Sequence, residues 1–412
     1  MQLEAFPYHL KIRDHFRQQP KTWTFFAASG TRSAQLTAFQ TDLLKNTYQF
    51  RPENEAFLYD KINLVKEKLG LVDLTVTAYQ AEYTQASGLN ASIVYLNQEA
   101  HLVFSGPVTG QLDEAELQAI IAHELSHVKL FQLLDGDLEV TDRIITAIAN
   151  HDLGFSSGVS PYYETARLFR LYTEIYCDRG AYTVLGDIHP VISMLVKIAT
   201  GLSEVHAENY IKQAEDIFSR SPDMQSATLT HPENFIRARA LELWRQQGTA
   251  AEPEISRMIE GLPEVDRLDI LSQKEWAGHT RTFLQSYLQP AWFRTELVTA
   301  LAKQYFSDFA PTPLPEPALL QTLTEKIGSA HTSLKEYFSY VLLDFTLADP
   351  SLEEAPAGRA FHFAETMQLT ATYDQAVKKE LQFSDRRLQL HKQKVLAAYK
   401  DIRGSEEEGA QF

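Results

Sequence analysis

Cysteine is nearly absent from this chain of 412 residues, which contains one, Cys177. A lone thiol excludes an intramolecular disulfide framework and a cysteine-based zinc site, and it fits a reducing compartment. Cationic residues are also the minority, 38 Lys and Arg against 54 Asp and Glu, leaving a net charge of −16. So acidic a chain is not expected to hold nucleic acid. Long apolar runs are missing too. The nearest, 191–202, contains Lys197 and falls short of the roughly 20 residues that a transmembrane helix needs. Residues 1–9 lack the basic start and apolar centre of a signal peptide, so a cytoplasmic protein with no transmembrane segment is expected. What the chain does have is 44% hydrophobic residues and a length that suits two or three globular domains.

The most informative segment is His123-Glu124-Leu125-Ser126-His127. On an α-helix, side chains four apart lie on one face, so His123 and His127 can share a metal ion. Glu124 is offset by about 100° and can reach a water at that ion without being a ligand. The surroundings predict such a helix. Leu117, Ile121, Leu125 and Val128 form an apolar stripe, Asp113, Glu114 and Glu116 suit a helix start, and Gly136 is a stop. Ile120 and Leu130 flank the histidines, so their face is expected to be covered. A covered polar face needs a reason, and a metal supplies one.

Two histidines leave a zinc site incomplete, because a third protein ligand is needed beside a water. One known continuation of the motif requires Gly at 130 and His at 133, where this chain has Leu130 and Leu133; another requires Glu near 146–147, where it has Thr146 and Ala147. The next candidate is Glu174, on a periodic helical segment that also carries Asp178 one turn on. Two stacked carboxylates would repel in isolation, but beside a cation and two imidazoles they make sense. Glu174 then serves as ligand and Asp178 as acceptor for a ligand N–H.

These residues resemble the M48 metalloendopeptidases, which combine H-E-x-x-H with a later helix bearing a Glu and, a turn on, Ala-Asp. Here Cys177 stands where Ala is usual. Asn90-Ala91 ahead of the strand-like run 92–96, and His231-Pro232 with Arg237 six residues after the histidine, match two further pieces of the pattern. The resemblance covers about 55–245. It implies that Asn90 holds substrate backbone, and that His231 and Arg237 support the transition state or the carboxylates of the site. The expected fold class is α+β: a mainly helical zincin-type domain with a small β-sheet, plus an all-α C-terminal domain.

Along the chain we expect an N-terminal helical segment at 1–54, the metallopeptidase domain at 55–247, a linker at 248–253, a helical accessory domain at 254–403 and a disordered tail at 404–412. A loop at 152–161 is expected to border the cleft. The accessory part, broken by prolines at 311–315, faintly resembles the TerB-type helical domain around 337–354. Within it, Asp344 and Asp349 read as caps or surface residues rather than ligands. The expected function is a zinc metalloendopeptidase with one Zn²⁺ per chain. His123, His127 and Glu174 are its metal ligands, Glu124 its general base and His231 an oxyanion partner. Its expected partner is an extended or unfolded polypeptide, added as a strand to the sheet formed around 91–105. The alternative is a latent zinc-binding, chaperone-like protein whose helical C-terminal half binds partners. The oligomeric state stays open.

Overall fold

Local sequence rules account for the helix that carries the motif. In this computed structural model, which describes residues 3–28, 33–82, 88–152, 160–310 and 316–409, the Asp113 side chain accepts from the backbone of Ala115 and Glu116. Glu116 returns a bond to the Asp113 N–H. This reciprocal capping starts the helix Glu114–Gln132, and a turn at Leu133–Gly136 with three successive left-handed residues ends it.

The chain divides into two compact units, Met1–Gly261 and Leu262–Phe412. In the first, helices α1 (Pro7–Arg17), α2 (Pro20–Ala28) and α3 (Ser33–Asn46) lead to strand β1 (Thr47–Gln49) and helix α4 (Ala56–Leu69). Strands β2 (Thr75–Ala81), β3 (Asn90–Leu96) and β4 (Glu99–Ser105) follow, then a short α5 (Val108–Gln111) and the motif helix α6. Next come α7 (Asp137–Asp152), α8 (Pro161–Leu185), α9 (His189–Thr200), α10 (Ala207–Arg220), α11 (Asn234–Gln247) and α12 (Glu252–Glu260). The architecture is thus mainly helical with one small sheet. Gly70, φ +68°, closes α4 in the left-handed conformation that the sequence signals there.

The sheet has the order β1-β2-β4-β3. β2 and β4 are parallel, and the other pairings are antiparallel. Ala100, Leu102 and Phe104 of β4 point into the core beside α4, α6 and α9, while His101 faces the other side against Phe39 and Tyr79. Among the described residues β3 is paired on one side only.

α6 and α8 form the most extensive helix pair of the unit. Gly180 makes this possible: a Cβ there would lie 1.9 Å from Ser126 Oγ. α1 covers the far side of α8. Phe6 and Tyr8 pack on Tyr172, and His9 bonds Thr173. The Arg179 guanidinium is sandwiched between Phe6, 3.9 Å away, and Trp244, 3.6 Å away.

One expectation needs correction. Residues 248–253 are not a linker: they form a turn, Gly248–Ala251, and the start of α12, whose Ile255 and Ile259 are buried in the first unit. The sequence there is polar and carries a proline, but Pro253 stands in the first turn of a helix, where its missing N–H costs nothing. The second unit consists of α13 (Ile270–Tyr287), α14 (Glu296–Tyr305), α15 (Pro317–Ser329), α16 (Thr332–Thr346), α17 (Ala355–Thr366), α18 (Thr370–Glu380) and α19 (Asp385–Gly409). Phe283, Tyr287, Phe338, Phe345 and Phe363 dominate the second core. Asp349 caps the turn Pro350–Leu352, and Asp344 accepts a bond from Tyr305. Most of the loop expected at 152–161 lies outside the described residues (153–159), as does 311–315.

Candidate metal centre

His123 and His127 lie one turn apart on α6, with ring centroids 5.3 Å apart. Glu174 reaches them from α8: its Oε2 is 3.4 Å from His123 Nε2 and its Oε1 is 3.6 Å from His127 Nε2. His231, on the turn before α11, sets its Nε2 3.6 Å from Glu174 Oε1 and is 63% exposed. The cleft above these groups holds about 590 Å³. Besides the histidines and Glu174 it is lined by Glu124, Asn90 on β3, and Asn234 and Arg237 on α11.

Behind His123 lies a buried polar pair, Asp178 and Arg237. Asp178 has no exposed side-chain surface. It accepts from His123 Nδ1 at 3.0 Å and from Arg237 twice, Nε to Oδ2 at 2.7 Å and Nη2 to Oδ1 at 2.6 Å. Arg237 Nη2 also lies 3.5 Å from Glu174 Oε2. All eight residues singled out in the sequence thus sit at or directly behind one cleft: Asn90, His123, Glu124, His127, Glu174, Asp178, His231 and Arg237.

Burial and charge set the protonation. Burial alone would lower the His123 pKa, but bonds to Asp178 and Glu174 outweigh it and hold the imidazole up at about 10. His127 is pushed down to about 4, chiefly by burial. For Glu174, burial is overcome by His123 and Arg237, which hold it well below the usual carboxylate range; Asp178 is held down against burial by Arg237 and His123. Burial raises Glu124 to about 7. Glu174 and Asp178 are therefore ionised, each held by His123 and Arg237, and Glu174 presents its carboxylate to both imidazoles.

The donors fit a metal such as zinc. Tetrahedral bonds of 2.0–2.1 Å place neighbouring donor atoms about 3.3–3.4 Å apart. The observed 3.4 and 3.6 Å are close to that, and both are long for hydrogen bonds. Glu174 Oε2 is buried, with His123 Nε2 at 3.4 Å and Arg237 Nη2 at 3.5 Å, contacts long enough to leave it short of a close hydrogen bond. One further donor was set aside in the sequence. Cys177 lies one turn from Glu174, and its sulfur and the donor atoms of His123 and His127 all fall within 4.8 Å of one another. Its position on the helix face shared by Glu174 and Asp178 is the reason, and the i,i+3 spacing could have flagged it. We favour Glu174 as the third donor because its two oxygens face both imidazoles, at 3.4 and 3.6 Å.

Two imidazoles at H-E-x-x-H spacing, joined by a carboxylate from a second helix in one cleft, are the donor set of a metallopeptidase. Comparison with known proteins agrees. Residues 62–245 match the family model described as Peptidase family M48, and this region of the chain belongs to that metallopeptidase family. The chain is also 31% identical over 147 residues to the plastoglobule-localized metallopeptidase 48, chloroplastic, of Arabidopsis thaliana. That match takes in 32% of this chain and 42% of the relative, so the similarity spans less than half of either protein. No solved structure matches the chain. Among the described residues, no helix is long and apolar enough to cross a membrane.

Proposed function

We propose that the first unit is a cytoplasmic zinc-dependent metalloendopeptidase that cleaves extended or unfolded polypeptides, with one zinc per chain. The observation that carries this reading is the convergence of His123 and His127, one turn apart, on the two oxygens of the buried Glu174 carboxylate at 3.4 and 3.6 Å. His123, His127 and Glu174 would hold the zinc, which when bound lowers the pKa of a water towards neutrality and polarises the scissile carbonyl. Glu124, raised to about 7, has the proton affinity of a general base at neutral pH. It takes the attacking water's proton and hands it to the leaving amine. His231, exposed at the cleft rim, donates to the oxyanion as the carbonyl becomes tetrahedral. Asp178 fixes the His123 ring through Nδ1, and Arg237 neutralises the charge that Asp178 brings into the interior.

Strand β3 lines the same cleft, and among the described residues its outer edge is unpaired. A substrate segment adds there as a further strand, with Asn90 holding its backbone. The test is metal content and hydrolysis of an unfolded protein such as casein, for wild type beside Glu124→Gln. One zinc in each, with chelator-sensitive cleavage by wild type alone, is the expected result. Equal cleavage by both would remove Glu124 from the mechanism, and zinc in neither would remove the site.

A further inference from the structure

The cleft has a second, chemically different part. α9 contributes Met194, Leu195, Ile198 and Ala199, which recur at i, i+1, i+4 and i+5 and form one apolar face. Facing the same space are Ile93 and Tyr95 of β3 and Phe131 of α6. The charged groups of the cleft, Glu124, Glu174, His231 and Arg237, are those of the metal centre; this apolar wall carries none.

The wall is also held in place. On the neighbouring face of α9, Lys197 Nζ donates to Glu116 Oε2 at 2.7 Å, and Ser193 bonds the other oxygen of the same buried carboxylate. From the opposite direction Asn234 Nδ2 donates to the Leu195 carbonyl at 3.0 Å. Glu116 belongs to the cap of the motif helix and Asn234 to α11, three residues before Arg237. The wall is thus tied at fixed distance to both helices that build the metal centre. A pre-organised apolar surface beside a reaction centre binds without reordering cost.

We infer that α9 selects the substrate, taking polypeptide segments with a bulky uncharged side chain, aliphatic or aromatic, beside the scissile bond. Ile198 is half-buried and Ala199 exposed, so they set the width of the opening. The inference rests on reading the cleft as a polypeptide groove, and it is tested by binding as well as by cleavage. In the Glu124→Gln background, fluorescent ten-residue peptides differing only in one central residue, Phe, Leu, Ala or Asp, are titrated by anisotropy. Phe and Leu peptides should bind at least ~10-fold more tightly than Ala, and Asp more weakly still. Ala199→Trp, at an exposed position that should not disturb folding, and Ile198→Ala should each change the Phe-to-Ala ratio several-fold. The zinc content should stay unchanged. Cleavage sites of the wild type in a mixed peptide library should show the same preference.

Equal binding of all four peptides, or a ratio indifferent to both substitutions, overturns the inference. Selective binding without any cleavage would leave the inference standing and defeat the proposed hydrolysis instead. Cleavage at sites without apolar preference would defeat the inference and leave the hydrolysis.

Discussion

Asp178→Asn isolates the polar pair behind the metal centre. The substitution keeps the shape of the side chain and removes its charge. Three donors converge on Asp178, two from Arg237 at 2.6 and 2.7 Å and one from His123 at 3.0 Å. An amide can accept from some of them but must present an N–H to another. Arg237 would then be a buried cation with only Glu174, 3.5 Å away, to oppose it. Breaking such a pair costs about 3–5 kcal/mol of stability. Losing the anchor of a ligand imidazole weakens metal affinity about 10–100-fold. Urea unfolding, followed by a signal from the first unit with chelator present, reads the first quantity. Competition with a chromogenic zinc chelator reads the second. Adding Arg237→Met removes the stranded cation and should return most of the stability, while the zinc affinity stays low because His123 still lacks its acceptor. An Asp178→Asn protein with unchanged unfolding midpoint and unchanged zinc affinity would refute the reasoning.

Other perturbations follow from the same packing. Gly180→Ala replaces the weakest helix former after proline with the strongest, yet it should destabilise, because the new methyl group meets Ser126 within the motif. Ser126→Gly in the same protein should recover part of the loss; a simple gain in thermal midpoint for Gly180→Ala alone would contradict the close approach. His9 is fully buried and its pKa is lowered to about 3, mainly by burial. Below pH 6.5 the unfolded chain therefore binds a proton that the folded chain refuses, so stability is lost as pH falls from about 6.5 towards 3, with a slope near 1.4 kcal/mol per unit. His9→Gln should flatten that slope in acid denaturation, and parallel pH profiles for the two proteins would exclude His9 as its source. Zinc added to the chelated protein should raise the unfolding midpoint of wild type and leave that of His123→Ala unmoved.

Much of the centre was legible because its elements are local. The H-E-x-x-H spacing and the stacked Glu174 and Asp178 are one-turn patterns that any helix brings onto one face, and the Asp113–Glu116 cap marks where the motif helix starts. The rest depends on contacts between distant segments. That β4 lies between β2 and β3, parallel to β2, cannot be read from three short runs of alternating residues. The partnership of Glu116 with Lys197 joins residues on two helices, and Lys197 in the sequence looks only like an interruption of an apolar run. Gly180 resembles an ordinary helix weakness until Ser126 is seen against it. Cys177 was set aside because one thiol cannot make a cysteine-based site, an argument that does not exclude a thiol placed beside two histidines. Residues 248–253 have the composition of a linker and fold as a turn and a helix start, because the apolar side chains that bury α12 come after them.

The most direct test of the centre is the X-ray absorption fine structure of the zinc-loaded protein. Ligation by His123, His127 and Glu174 predicts a shell of nitrogen and oxygen alone at about 2.0–2.1 Å. That shell should be unchanged in Cys177→Ala and diminished in Glu174→Ala. A sulfur scatterer at about 2.3 Å that disappears in Cys177→Ala would show that the thiol, not the carboxylate, completes the site.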